Sequence, residues 1–213
     1  MTFDKKEVDE ILDVLYYGDF DCLSDNSFFR QVVSPFKDKY KKPFAYDYGA
    51  TKGVLIFKEL GFVIKIPFVC NDDWDFSGAE CANGWDYCEV EALKYQDASI
   101  NGLAECFAET MCIGDIDGHP IYIQELATMY EKGETTTKRS DEDIEKVKSL
   151  CSSQNYDCFN SNWLSDVLNF FGERMFYKLL NFISDADISD LHNGNIGYIG
   201  MRPVLVDYSS FND

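Results

Sequence analysis

Residues 188–213 read ISDLHNGNIGYIGMRPVLVDYSSFND, and the reading of this stretch decides the architecture of the whole chain. Two short apolar runs, Ile196–Ile199 and Val204–Val206, flank a Gly-Met-Arg-Pro turn, which is the pattern of a β-hairpin. Asp190 and Asn195 precede the hairpin and Asp207 follows it, so antiparallel pairing brings all three to one end. Two carboxylates and an amide oxygen are hard donors, suited to a Mg²⁺ ion that takes one or two protein carboxylates and completes its shell elsewhere. The run Asp-Leu-His-Asn-Gly-Asn is equally good turn chemistry, and these residues alone leave both readings open.

Upstream, the helical and extended periods separate. From Asp4 to Gly18 the apolar residues Val8, Ile11, Leu12 and Leu15 repeat at helical spacing, with Asp4 as N-cap, and a short helix is expected around Asn26–Val33. Between Phe44 and Phe68 the pattern becomes extended: Phe44–Gly49, Gly53–Phe57 and Phe62–Phe68, the last two joined by a turn through Lys58–Gly61. Lys65 falls inside the apolar run of the third strand. A buried, unpaired ammonium is costly, so this lysine either snorkels from a sheet edge or has a partner.

A loop rich in Asp, Gly and Cys over 71–84 leads to a helix at about Asp86–Ala98 that carries Glu89 and Glu91. Two more strands are expected at Phe107–Gly114 and Pro120–Leu126, giving five strands with one helix after the third. The segment Thr128–Arg139 reads as a polar linker. Ser140 and Asp143 open a charged helix, and Asn162–Ile183 reads as one long amphipathic helix.

Acidic residues outnumber basic ones 38 to 19, for a net charge of −19, and no basic stripe interrupts them. A phosphate backbone or an anionic membrane would be repelled, so neither nucleic acid nor membrane is an expected partner, and a phosphate ligand would need a local cation. The first residues lead into a charged amphipathic segment rather than an apolar one, and no long apolar run follows. A cytoplasmic chain is therefore expected. The eight cysteines form no C-x-x-C pair, so free thiols are expected, with a metal cluster at Cys70, Cys81 and Cys88 as the alternative. His119 reads as a turn residue.

With these residues set out, the chain resembles the protein-kinase-like superfamily. Asp190-Leu-His-Asn-Gly-Asn195 is similar to the catalytic loop of its aminoglycoside and choline phosphotransferase branch, and Val206-Asp207-Tyr208 resembles the metal-binding Asp-Phe-Gly. The resemblance implies an α+β, two-lobed fold: a five-stranded antiparallel N-lobe with one inserted helix over 44–127, preceded by a helical extension over 1–43, and a reduced, mainly helical C-lobe over 128–213. It implies ATP and Mg²⁺ as cofactors, with the nucleotide held between the lobes. Asp190 would act as base, Asn195 and Asp207 would hold the metal, and Lys65, paired with Glu91 or Glu89, would meet the phosphates. Gly49 and Gly53 would flank the phosphate loop, and Gln124, Glu125 and Leu126 would form the adenine-facing hinge.

The match departs from the family in several places. Gly49-Ala-Thr-Lys-Gly53 has two glycines instead of G-x-G-x-x-G, Ile188 stands where a histidine is usual, and Tyr208-Ser209 replaces Phe-Gly. Only residues 208–213 follow Asp207, so an activation segment and the later C-lobe helices are expected to be missing, with a partner chain able to complete the lobe. Two functions follow: a phosphotransferase acting on a protein or small-molecule hydroxyl, or a pseudokinase-like module that binds nucleotide or protein without transfer.

Overall fold

Alternation along the extended segments sets the first layer. The computed structural model describes residues 3–20, 23–49, 51–68, 86–130, 139–154, 156 and 158–209. Strands β1 (Ala45–Tyr48), β2 (Lys52–Phe57), β3 (Phe62–Pro67), β4 (Thr110–Ile116) and β5 (His119–Glu125) form one antiparallel sheet in the order β1-β2-β3-β5-β4. The register pairs Leu55 with Ile64 and Ile64 with Ile123, so Leu55, Phe57, Ile64, Ile66, Ile121 and Ile123 share one face. Lys52, Val54, Lys65, Tyr122 and Gln124 share the other.

Residues before the sheet cover its apolar face. Helix α1 (Lys5–Leu15) starts where the Lys6 N–H donates to the Asp4 carboxylate at 3.0 Å, and it buries Val8, Ile11 and Leu15. The second helical segment runs past Val33, the end expected from sequence: α2 (Asp25–Phe28) and α3 (Ser34–Lys39) are joined by a π-helical turn at Phe29–Val33. Pro35 is the physical reason, because its ring excludes an ordinary bond to the Gln31 carbonyl. That carbonyl accepts the Asp19 N–H at 3.1 Å instead. Phe28, Val32, Val33 and Phe36 complete a core with the sheet.

Helix α4 (Tyr87–Ile100) follows β3, after residues 69–85, which lie outside the described residues together with Cys70 and Cys81. By compactness the chain divides into a first unit of residues 1–92 and 109–126 and a second of 93–108 and 127–213, so residues 93–108 group with the C-terminal half.

In the second unit, β6 (Thr128–Met129) occupies the start of the stretch read from sequence as linker and pairs with β7 (Ile196–Ile199), which pairs in turn with β8 (Arg202–Leu205). Helix α5 (Asp141–Ser153) opens with the expected capping box, the Asp143 N–H bonding the Ser140 hydroxyl at 3.1 Å. The long helix expected over 162–183 is two helices, α6 (Ser161–Phe171) and α7 (Glu173–Asp185). Both bury apolar stripes, and Trp163, Leu164, Val167, Phe176, Leu179 and Ile183 meet Ile196 and Leu205 in one core. Among the described residues no helix is long and apolar enough to cross a membrane.

Gly172 makes the break, with φ 80° and ψ 166°, a conformation that side-chain-bearing residues scarcely adopt. Open space surrounds the position a Cβ would take, so Gly172→Ala adds strain without a clash. The substitution is expected to cost about 1–3 kcal/mol, read as a lower denaturant midpoint. An unchanged midpoint would show that the two helices do not depend on this conformation.

Candidate functional site

The polar face of the first sheet converges on one carboxylate. Asp86 caps α4, its Oδ1 accepting the Cys88 and Glu89 N–H groups at 2.8 and 3.1 Å, while its Oδ2 accepts the Tyr122 hydroxyl of β5 at 2.6 Å. This ties the start of α4 to the sheet and aims its next turn at the strands. Burial and the Asp86 carboxylate both push the Tyr122 hydroxyl pKa upward, so it remains a donor.

Glu91 is fully buried and Lys65 is 4% exposed, and the Lys65 ammonium bonds Oε2 of Glu91. Glu89 is exposed, so the choice that the sequence leaves open falls on Glu91. The edge-strand alternative for Lys65 is excluded by geometry, since β3 is flanked by β2 and β5 and all six of its residues are buried.

Lys52 is the residue that sequence reasoning missed. Its ammonium bonds Oε1 of Glu91, so two lysines on adjacent strands divide one carboxylate between them. The register reveals it: Val54 pairs with Lys65, and Lys52 lies two residues from Val54, hence on the same face. Reading Lys52 as part of a glycine loop hid it. Gln124 also points its side chain here, its amide donating to Oε2 of Glu91 at 3.4 Å and to the Thr110 hydroxyl at 2.7 Å.

The remaining first-unit residues have local duties. The N–H groups of Glu125 and Leu126 donate to the carbonyls of Glu109 and Gly61 at 3.0 and 2.9 Å. Gly49 closes a tight turn by donating its N–H to the Lys52 carbonyl at 3.0 Å. Gly53 serves packing, because a Cβ there would stand 2.3 Å from the Phe28 ring.

In the second unit the loop between α7 and β7 is held by its own side chains. Ile188 is buried in the core beneath it, an apolar anchor at the position where the resemblance places histidine. The Asn195 amide donates to the Asp190 carbonyl at 2.7 Å and to its Oδ2 at 3.2 Å. His192 accepts the Gly194 N–H on Nδ1 at 2.9 Å, and its Nε2 lies 3.7 Å from Oδ1 of Asp190. The Asn160 amide reaches the loop from the start of α6 and donates to Oδ1 of Asn193 at 2.8 Å. Asp190 is left half-buried, with its carboxylate oriented and still reachable by solvent.

The Val206 N–H donates to the Asn195 carbonyl at 2.9 Å, so the hairpin brings Asn195 and Asp207 to the same end. Tyr208, directly after Asp207, is buried and donates its hydroxyl to the Ala108 carbonyl at 2.9 Å. This locks the strand exit. Asp207 is half-buried and accepts the Ser209 hydroxyl at 3.2 Å. Among the described residues no three or more His, Cys, Asp or Glu side chains are grouped as a metal site. One amide oxygen and one carboxylate fit a Mg²⁺ ion whose other ligands are waters and phosphate oxygens, and do not fit a closed all-protein cage. Of the cysteines in the alternative cluster, only Cys88 is described, and burial pushes its thiol pKa upward. His119 stacks on Phe20 with ring centroids 5.8 Å apart.

Compared with known proteins, the chain matches no family model and no curated protein.

Removing the Glu91 carboxylate leaves two buried ammonium groups facing each other. Glu91→Ala is therefore expected to destabilise the protein by about 3–5 kcal/mol. Glu89→Ala is expected to fall within about 0.5 kcal/mol of the wild type. Denaturant unfolding of the two variants side by side checks the assignment, and equal losses would contradict it.

Proposed function

We propose that the chain is an ATP- and Mg²⁺-dependent phosphotransferase of the protein-kinase-like fold acting on a hydroxyl acceptor. The observation that carries this reading is the buried Lys65–Glu91 pair, formed by a lysine of the third strand and a glutamate of the helix that follows it. A fixed ammonium on the sheet supplies the local cation that a chain of net charge −19 needs for a phosphate ligand. The Asp190–Asn195 hydrogen bonds add to this, because they hold a carboxylate at the position the resemblance gives to the base.

Each residue then has a defined task. Lys65 presents its ammonium to the α- and β-phosphates, with Glu91 fixing its orientation. Asn195 and Asp207 would hold Mg²⁺, which when bound neutralises charge on the phosphate oxygens. Asp190 accepts the proton of the acceptor hydroxyl as its oxygen bonds the γ-phosphorus, and the bond to the β-phosphate oxygen breaks to release ADP. His192, 3.7 Å from Asp190, orients the loop by accepting the Gly194 N–H. Adenine recognition near Gln124–Leu126 falls to groups other than the Glu125 and Leu126 N–H donors, which are already bonded.

One observation favours a second reading, a module that binds nucleotide or protein without transfer. The Gly49 N–H is taken by the Lys52 carbonyl and Gly53 is packed against Phe28, so Gly49 has no N–H left for a phosphate.

Titration calorimetry separates binding from chemistry. ATP with Mg²⁺ is expected to bind the wild type and to lose that metal dependence in Asp207→Ala. Asp190→Asn is expected to keep binding while turnover falls by about 10²–10⁴-fold. Binding without turnover in the wild type would favour the second reading, and no binding under any condition would end both nucleotide proposals.

A further inference from the structure

The sequence holds three Asn-Gly dipeptides, and the structure describes two of them, Asn101-Gly102 after α4 and Asn193-Gly194 in the loop between α7 and β7. Asn83-Gly84 lies outside the described residues. An asparagine followed by glycine carries a latent nucleophile. The next peptide nitrogen, beside a carbon that bears no side chain, can approach the asparagine Cγ and close a five-membered ring. Two partners assist that closure: an acceptor for the proton the nitrogen sheds, and a donor for the carbonyl oxygen as it gains charge.

Both partners are in place at Asn193-Gly194. The Gly194 N–H donates to Nδ1 of His192 at 2.9 Å, so the proton to be shed already faces an imidazole. The Asn160 amide donates to Oδ1 of Asn193 at 2.8 Å, on the oxygen where charge develops. Asn160 is itself held, since its Oδ1 caps α6 by accepting the Trp163 N–H at 2.9 Å. The close approach of ring and backbone depends on glycine, because a Cβ at position 194 would stand 2.7 Å from Cε1 of His192. His192 and Gly194 are exposed, so water reaches the dipeptide.

Asn101-Gly102 has the same two residues and different partners. The Gly102 N–H donates to the Ser99 carbonyl at 2.9 Å, and a peptide carbonyl is a far weaker proton acceptor than an imidazole. The Asn101 amide donates to the Asp97 carbonyl at 2.8 Å, so this bond is made by the side-chain nitrogen, whereas the one at Asn193 is made to the oxygen.

We propose that Asn193-Gly194 is a self-modification site at which the loop converts Asn193 to aspartate or isoaspartate, with water as the co-reactant. The Gly194 nitrogen bonds Cγ of Asn193 as its proton passes to Nδ1 of His192, and the Asn160 amide holds the oxygen that gains charge. The Cγ–Nδ2 bond then breaks, and Nδ2 leaves as ammonia with that proton, giving a succinimide. Water adds to either ring carbonyl, the bond from that carbon to the Gly194 nitrogen breaks, and the nitrogen regains a proton. Addition at Cγ gives aspartate, and addition at the backbone carbonyl gives isoaspartate. Either product places a new carboxylate three residues from Asp190.

Peptide mapping of the full chain after incubation at neutral pH tests this. Cleavage before Asp190 and Asp207 yields residues 190–206, and cleavage before Asp97 and Asp115 yields residues 97–114, so the two dipeptides fall in separate peptides. Fragmentation assigns the amide-to-acid mass gain to a residue, and an isoaspartate-specific methyltransferase labels the rearranged product. In the folded chain Asn193 is expected to convert about 10²-fold faster than Asn101, the lower end of what a positioned base contributes. In guanidinium the two rates are expected to converge. Asn160→Ala is expected to slow Asn193 about tenfold, less than loss of a donor in a dry site would. His192→Ala is expected to remove most of the difference, and neither variant to change Asn101. Equal rates at the two sites in the folded wild type, or no conversion at Asn193, would overturn the proposal. So would a ratio that persists in guanidinium. The wild-type comparison decides the matter even where a variant folds poorly.

Discussion

The first unit depends on one carboxylate. Glu91 is sealed from water beneath α4, and such a charge is tolerable only where cations and hydrogen bonds replace its lost hydration. Lys65 and Lys52 take one oxygen each, and the Gln124 amide approaches the first of them. Each partner comes from a different strand of the sheet, β3, β2 and β5, so the ion cluster fixes the register of these strands relative to the helix as well as its own charge. The apolar face could tolerate repacking by other residues of similar volume. The polar face could not, because shifting any strand by one residue would turn its cluster side chain to the opposite side.

How much of this is legible in the sequence follows from the range of the interactions. The alternation of the five strands of the first sheet, the caps at Asp4 and Ser140 and the hairpin after Asn195 are patterns a few residues long, and period and turn chemistry reveal them, whereas β6, which pairs β7 some seventy residues on, reads as linker. The break at Gly172 was hidden because the apolar stripe keeps helical spacing on both sides, and only the backbone angle betrays the interruption. Continuation of the second helix through Pro35 was hidden for a related reason, since a proline ordinarily ends a helix and here a wider turn accommodates it. Lys52 lay beyond reach by a different route. Its role is visible only once β2 and β3 are in register, whereas Lys65 declared itself by standing in an apolar run.

The clusters around Glu91 in the first unit and Asp190 in the second are built on different physical principles. Around Glu91, rigidity comes from burial: the groups are charged, dry and mutually satisfied, and displacing one exposes the others to an environment they cannot tolerate. Around Asp190, rigidity comes from hydrogen bonds, from the buried Asn195 to Asp190, from Gly194 to His192 and from Asn160 to Asn193. Such a loop keeps the Asp190 carboxylate in contact with water. A buried lysine fixed by a carboxylate and a solvated aspartate held by an amide are different solutions to placing a charge: the first replaces lost hydration with an opposite charge, and the second keeps its hydration.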